Sequence, residues 1–186
     1  MTLLIIGVLV LLIAFYAVAI YNKLVKLNTL VEEAWSGIDV QLKKRYSLIP
    51  NLVETVKGYA THEKEVLLKV TEARTAAMSA GTIDQKIVAE GKLTSALQGL
   101  RVQLEAYPDL KANQNFLQLQ EELSDIENKL AAARRYFNAA TTEYNTGVET
   151  FPANIIAGMF GFKRESMFDL GEVRRKEMEE PPKINF

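Results

Sequence analysis

The feature that most constrains this chain is a run of 18 residues, Leu3 to Ile20, that contains no charged side chain. A helix needs about 20 mostly apolar residues to cross the hydrocarbon core of a bilayer, and about 17 to 25 are tolerated. Met1 and Thr2 extend the run on one side and Tyr21 on the other. Tyr16 and Tyr21 suit the headgroup boundary. The run therefore predicts a transmembrane helix.

Three other interpretations of this run compete with a transmembrane helix. A secretory signal peptide would be cleaved near Ala17 to Ala19, but no Lys or Arg precedes the apolar residues, so the charged region typical of such peptides is missing. A lipoprotein signal needs a cysteine, and the chain has none. A buried globular helix would carry an apolar stripe rather than an apolar surface on every side. A retained anchor is the interpretation that we adopt.

Positive charge is distributed unequally around the anchor. No Lys or Arg precedes it, whereas Lys23 and Lys26 follow it closely. Because Lys and Arg accumulate on the cytoplasmic side of membrane spans, we expect the rest of the chain to be cytoplasmic. Placement on the outer side is the alternative.

After the anchor, apolar residues recur at steps of three and four, which is the spacing of one face of a helix. No proline occurs between Met1 and Ile49, so we expect the anchor and the first helix to form one rod about 70 Å long. The apolar positions are Leu24, Leu27, Val31, Ala34, Ile38 and Leu42, then Leu52, Val56, Tyr59, Val66, Val70 and Ala73.

Proline and glycine predict where the helices end. Pro50 has no N–H to donate and is expected to end or kink the first helix. A second helix then runs from Leu52 to the turn-forming residues 79–81, with Gly58 tolerated inside it. A third is expected from Ile83 to Tyr107, with Thr82 as N-cap, Gln85 as its capping-box partner, and core positions at Ile87, Leu93, Leu97, Leu100 and Leu104.

The fourth predicted helix, Asn113 to Val148, has the most regular pattern. Its steps of three and four continue without a slip, as in left-handed helix packing. Short connections favour antiparallel neighbours, so the sequence predicts an all-α fold, a transmembrane helix continuing into an antiparallel four-helix bundle. The stripe consists of Phe116, Leu119, Leu123, Ile126, Leu130, Ala133, Phe137, Ala140 and Tyr144.

Four regions follow from these patterns: an anchor at 1–22, a helical bundle at 23–150, an apolar segment at 151–162 and a charged tail at 163–186. The apolar segment can close one end of the bundle, insert into the lipid interface or contact another subunit. The tail ends on an alternation of Ile184 and Phe186, which suits addition to a neighbouring chain as an extended strand.

The sequence offers little catalytic chemistry. His62-Glu63 begins like a zinc-peptidase motif, but the chain has one His and no Cys, so two more ligands are missing. A di-iron carboxylate bundle needs two His and fails for the same reason. No nucleotide-binding or nucleophile motif is present. The net charge of −1 argues against nucleic acid as a partner. We expect no catalytic residues, metal or cofactor.

Polar residues on both sides of Pro50 are candidates for a partner site or for fixing the packing register. Lys43, Lys44 and Arg45 form a short basic cluster, which we interpret as an exposed helix turn. Arg45 and Asn51 are placed to hydrogen-bond the backbone carbonyls that Pro50 leaves free. The candidate interface residues are Trp35, Arg45, Asn51, Phe151, Ile155, Met159, Phe160, Phe162, Ile184 and Phe186.

Nearly the whole chain resembles the bacterial LemA family. The resemblance is carried by AWSGIDVQLKKRYSLIPNLVETVKGYATHEKEVLLKVTEAR (Ala34 to Arg74), by LEAYPDLKANQNFLQLQEELSDIENKLAAARRYFNAATTEYN (Leu104 to Asn145), by FPANIIAGMFGFK (Phe151 to Lys163) and by the ending PPKINF. Ser47 departs from it, since an acidic residue is expected there. The resemblance implies a bacterial, N-terminally anchored, elongated helical bundle with no established enzymatic activity. It also implies an association with membrane metalloproteases of the HtpX type.

Two functions follow. The first is a non-enzymatic scaffold, anchored in the bacterial inner membrane, that self-associates into a homo-oligomer on the lipid bilayer. The alternative is an adaptor or regulator of a membrane metalloprotease of the HtpX type, acting in membrane protein quality control.

Overall fold

The structure, a computed structural model, describes residues 1–60 and 63–168. These residues form six helices and no strand, which confirms the all-α prediction for the described part of the chain. They group into two compact units: unit 1 comprises Met1–Asp39 and Ala132–Met167, and unit 2 comprises Val40–Ala131 with Phe168. The helices are α1 Thr2–Lys57, α2 Lys64–Ser79, α3 Ile83–Leu104, α4 Pro108–Lys111, α5 Gln114–Glu149 and α6 Ala153–Phe160.

The N-terminal part of α1 is the candidate membrane span. Among the described residues, α1 is the one helix long and apolar enough to cross a bilayer, and nothing in its most apolar 18-residue window is buried. The helix passes through Tyr21 and Asn22 without interruption. The predicted continuity of anchor and first helix is therefore confirmed.

The first helix does not end at Pro50, which excludes one of the two outcomes expected there. α1 contains Pro50 and continues to Lys57, so Leu52 belongs to the first helix and not to a second one. The chain leaves the helix at Gly58 instead, and α2 begins at Lys64. Six helices thus replace the four that were predicted. Their arrangement as an antiparallel four-helix bundle stays a prediction, as do the four region boundaries.

A hydrogen bond from another helix explains how α1 passes Pro50. In an unbroken helix the carbonyl of Tyr46 would accept the N–H of residue 50, and proline has none. The Nε of Arg74 on α2 donates to this carbonyl at 2.7 Å. The acceptor that proline leaves without a partner is therefore satisfied from a neighbouring helix. The prediction that Arg45 or Asn51 would serve this role assigned it to the wrong side chain.

In unit 1, α1 and α5 pack antiparallel. Going up α1 from Leu27 to Trp35, the partners on α5 go down the sequence from Gly147 to Phe137. A Cβ at Gly147 would lie 2.9 Å from the Cδ1 of Leu27, so glycine permits this close approach. The rings of Trp35 and Phe137 meet edge to face with centroids 5.5 Å apart.

Every position of the predicted apolar stripes is buried or half-buried except one. Tyr59 was placed in the core but is 43% exposed, because it follows the end of α1 and the helical period no longer applies. Its hydroxyl instead accepts a hydrogen bond from the Nδ2 of Asn113 at 2.8 Å. Buried stripe residues include Leu24, Ile38, Leu42 and Val56 on α1, Leu93 and Leu100 on α3, and Phe116, Ile126, Leu130, Phe137, Ala140 and Tyr144 on α5.

Two helices, α3 and α5, begin directly after a residue whose side chain caps the first turn. The hydroxyl of Thr82 accepts from the N–H of Gln85 at 3.2 Å, as predicted. The side chain of Gln85 returns to the N–H of Gly81 rather than to that of Thr82. At the start of α5, the Oδ1 of Asn113 accepts from the N–H of Phe116 at 3.0 Å. Each cap satisfies an amide that the helix cannot satisfy itself.

The contact across Pro50 generates a double-mutant prediction. Arg74→Met should lower the free energy of unfolding by about 1 to 2 kcal/mol, because it leaves a partly buried carbonyl without a donor. In a Pro50→Ala background the same change should cost much less, since residue 50 then supplies its own N–H to the Tyr46 carbonyl. Urea unfolding of the full chain in detergent, followed by circular dichroism, measures all four proteins.

Arg101→Met, on the exposed surface of α3, is the matched control and should change stability by less than about 0.5 kcal/mol. An equal cost of Arg74→Met in both backgrounds would show that the guanidinium group does not act through the proline position.

Candidate functional site

Unit 2 buries an ion pair whose two charges come from different helices. Arg45 on α1 is 1% exposed and Glu90 on α3 is 0% exposed. Arg45 lies between Leu42 and Ile49 on the buried side of α1. Glu90 occupies the equivalent position on α3, between Ile87 and Leu93. Each helix thus carries one charge within its apolar stripe, and the two charges have opposite signs.

The hydrogen bonds of this pair use both oxygens of the carboxylate. The Nη2 of Arg45 forms an ion pair with the Oε2 of Glu90, and the hydroxyl of Tyr46 donates to its Oε1. The Nη1 of Arg45 also lies 3.5 Å from the hydroxyl of Thr94, one turn after Glu90. Hydrogen bonds of this kind offset part of the cost of burying an ion pair.

This cluster is closed to a substrate. Arg45, Glu90 and Tyr46 are all at most 5% exposed, and they contact each other. What the arrangement can do is fix the register of α1 against α3, because sliding either helix by one turn would bury an unpaired charge. The expectation that Arg45 lies on an exposed turn is therefore wrong, whereas its neighbours Lys43 and Lys44 are exposed.

The other candidates around Pro50 lie at the surface or contact the core. Trp35 is half-buried against Phe137 in unit 1. Asn51 is exposed on α1, as is Glu54, which forms a 2.6 Å ion pair with Lys57. The structure does not bring these residues together with Arg45 into one site. Their role as interface residues stays a prediction.

The apolar segment after α5 contains α6 and contacts the end of the candidate span. Phe160 and Phe162 place their rings 4.7 Å and 5.8 Å from the ring of Tyr21. Gly161 allows the turn between them, since its φ of 78° is unfavourable for other residues. Phe151, Ile155 and Met159 are 75%, 54% and 73% exposed. The segment is thus packed on one side and open on the other.

The chain after α6 is attached to α5 by a pair of amide hydrogen bonds. The Nδ2 of Asn145 donates to the carbonyl of Glu165, and the N–H of Glu165 donates to the Oδ1 of Asn145, both at 2.9 Å. Burial raises the pKa of the adjacent Tyr144 phenol, and the charge of Glu165 acts in the same direction. This attachment holds residues 163–167 in place beside α5.

Sequence reasoning missed Glu90, Arg74 and Asn145. For Glu90 a signal was available, since it interrupts an apolar stripe at a core position, three residues after Ile87. Arg74 and Asn145 have polar neighbours in the sequence, and their roles depend on partners 28 and 20 residues away. No pattern along the chain marks such contacts.

Two of the candidate interface residues, Ile184 and Phe186, lie outside the described residues, as does His62, for which no site was predicted. Within the described part of the chain, no group of three or more His, Cys, Asp or Glu is placed to hold a metal ion. Unit 2 also has a mostly apolar cavity of about 570 Å³ between the end of α1 and α2, with Lys57 and Lys64 in its lining.

Comparison with known proteins gives a consistent set of relatives. The family model described as the LemA family matches residues 34–186. Protein LemA of Metamycoplasma hominis is 28% identical over 162 residues, which is 85% of this chain and 73% of that protein. Magnetosome protein MamQ 2 of Paramagnetospirillum magneticum is 26% identical, covering 84% and 68% of the two chains. Magnetosome protein MamQ of Magnetospirillum gryphiswaldense is 25% identical, covering 80% and 64%.

The buried pair generates the second prediction. Arg45→Met should destabilise the protein by about 3 to 5 kcal/mol, because it leaves the Glu90 carboxylate buried without its cation. Replacing both residues by Met should recover most of this loss, since two apolar side chains of similar volume need no partners. Urea unfolding of the full chain in detergent measures the three proteins.

The matched control lies on the same helix. Lys57→Met breaks the exposed pair with Glu54, whose side chain is 72% exposed, and should cost less than about 1 kcal/mol. A double variant as unstable as Arg45→Met alone would contradict the assignment of the loss to an unpaired charge.

Proposed function

This chain belongs to the LemA family, and from that premise we propose that it is a membrane-anchored, non-enzymatic scaffold that self-associates. The apolar N-terminal helix and the relatives that are named as magnetosome proteins are consistent with a membrane-associated protein. Neither the matching family model nor the named relatives indicate a class of enzymes. The proposal therefore concerns attachment and assembly.

The observation that carries the proposal is the continuity of α1. One helix supplies the uncharged run, in which no residue is buried, and then core residues of both units, among them Leu24 in unit 1 and Leu42 in unit 2. A tethered enzyme needs only a flexible linker to its anchor. A helix without a break transmits the orientation of the span to the folded part, which suits a protein whose position on the membrane matters.

Anchoring also favours contacts between copies. Chains inserted in the same direction present identical surfaces to each other, and confinement to one bilayer raises their effective concentration. Unit 2 offers apolar surface for such contacts on α2 and α3. Leu68 and Val88 are each 57% exposed and Val102 is 68% exposed. Large apolar side chains of this kind at a surface favour protein contacts when they adjoin one another.

We place the assembly in the bacterial inner membrane, with the folded part in the cytoplasm. The support is the positive charge of Lys23 and Lys26, both exposed directly after the candidate span.

The third prediction concerns mass. The full chain of 20.9 kDa, in mild detergent or in nanodiscs of increasing size, should form particles of several chains when examined by native mass spectrometry. Leu68→Lys and Val102→Lys together should shift the distribution toward single chains, because a buried unpaired ammonium group opposes association. Gln98→Lys, at an exposed position of α3, is the control and should leave the distribution unchanged.

A single-chain particle at every concentration would eliminate the scaffold. The alternative from the family resemblance, an adaptor or regulator of a membrane metalloprotease, predicts a single chain or a small oligomer together with co-purification of such a protease from native membranes. Measuring both properties on the same preparation separates the two functions.

A further inference from the structure

The surface of α6 carries large apolar side chains that the described part of the chain leaves exposed. Residues 151–162 contain no charged side chain. Ala157 is buried at 1% exposure and attaches α6 to unit 1. Phe151, just before α6, and three residues of α6 are each more than half exposed. We call these four residues, Phe151, Ile155, Met159 and Phe160, the α6 surface. Ile155 and Met159 are four residues apart and therefore share one side of the helix.

This surface adjoins the end of the candidate membrane span. Tyr21 directly follows Ile20, the last residue of the uncharged run. The ring of Phe160 lies 4.7 Å from the ring of Tyr21, and that of Phe162 lies 5.8 Å from it. Aromatic side chains concentrate at the level of the lipid headgroups. With the proposed anchoring, the contact would put one end of α6 at the depth where the hydrocarbon core meets the headgroups.

Exposed positive charges flank the same place. Lys163 follows the apolar segment, and Lys23 and Lys26 follow the span on α1. Arg164 is exposed too and pairs with Glu149 at 3.0 Å. An apolar face bordered by Lys and Arg is the composition of helices that lie in the membrane interface, where the cations approach anionic headgroups.

We propose that α6 is a second membrane contact, whose surface inserts into the headgroup region of the leaflet next to Tyr21. This inference rests on the membrane anchoring in the proposed function and not on self-association. Eight residues are too few to bind a bilayer tightly alone. Held beside the span, however, they meet the lipid at a high effective concentration. With α1 they would give the anchor two points of attachment and so restrict rotation and tilt about the span.

The test exploits the absence of cysteine in the chain. Ile155→Cys and Tyr136→Cys remove apolar residues of unit 1 that are both 54% exposed. Each full-length variant is labelled with an environment-sensitive fluorophore and placed in nanodiscs that hold a single chain, made of phosphatidylcholine and phosphatidylglycerol. Quenching by lipids brominated on their acyl chains is compared with quenching by iodide in solution.

The label at position 155 should be quenched by the brominated lipids, and its iodide quenching constant should be about fivefold lower than at position 136, because interfacial side chains lie about 5–10 Å inside the boundary. Adding Met159→Glu should raise the iodide quenching constant of the label at position 155 to the value at position 136. Adding Thr142→Glu on α5 should leave it unchanged. Circular dichroism checks that each variant keeps its helix content.

Three outcomes would overturn the proposal. Equal iodide quenching at both positions means that the α6 surface faces water. Protection from both quenchers in single-chain discs means that another part of the same chain covers it. Protection that appears only in discs holding several chains means that a second copy covers it. A label at Leu12→Cys tests the anchor separately: if brominated lipids do not quench it, the proposed anchoring itself fails.

Discussion

The described structure depends on α1 remaining helical past Pro50. Proline removes the N–H that the Tyr46 carbonyl would accept, and an unsatisfied acceptor in a packed helix is costly. The Nε of Arg74 supplies the missing donor at 2.7 Å. Because the helix continues, Leu52, Val53 and Val56 stay in phase with Leu42 and Ile49 and are buried with them. One side-chain hydrogen bond from α2 thus lets a single helix carry both the candidate span and part of the core of unit 2.

The parts of the fold that were predictable are those that local sequence determines. The stripe from Phe116 to Tyr144 follows the helical period, so its burial needs no knowledge of what covers it. The cap at Thr82 depends on a residue three positions away. Whether Pro50 ends or kinks the first helix stayed open for the opposite reason, since the donor to the Tyr46 carbonyl comes from Arg74, 24 positions further along the chain. A rule for proline in an isolated helix omits the donor that a neighbouring helix can provide.

A charged residue within an apolar stripe allows some, but not all, of its buried contacts to be inferred from the sequence. Arg45 and Glu90 each occupy a core position of their own helix, and neither would be stable there alone. Opposite charges in two stripes of one domain favour direct pairing, which is the contact that forms. The sequence does not show that Tyr46 would take the second oxygen of Glu90, because the hydroxyl position depends on the spacing of α1 and α3. Pairing is therefore inferable from sequence, whereas the complete set of hydrogen bonds requires the structure.

The buried charges of unit 2 and the exposed apolar residues of the α6 surface are stabilised in different ways. In unit 2 a buried charge is compensated by its partner, so the interior gains specificity of register and no reactive group is presented to solvent. In unit 1 the residues in an unfavourable environment are apolar. Phe151, Ile155 and Met159 are exposed, although nearby Ala157 is buried. Exposing such side chains to water is unfavourable, and the penalty is removed when they meet lipid or protein. Because Phe160 and Phe162 contact Tyr21 at the end of the candidate span, the nearest apolar phase is the membrane that the span itself would enter.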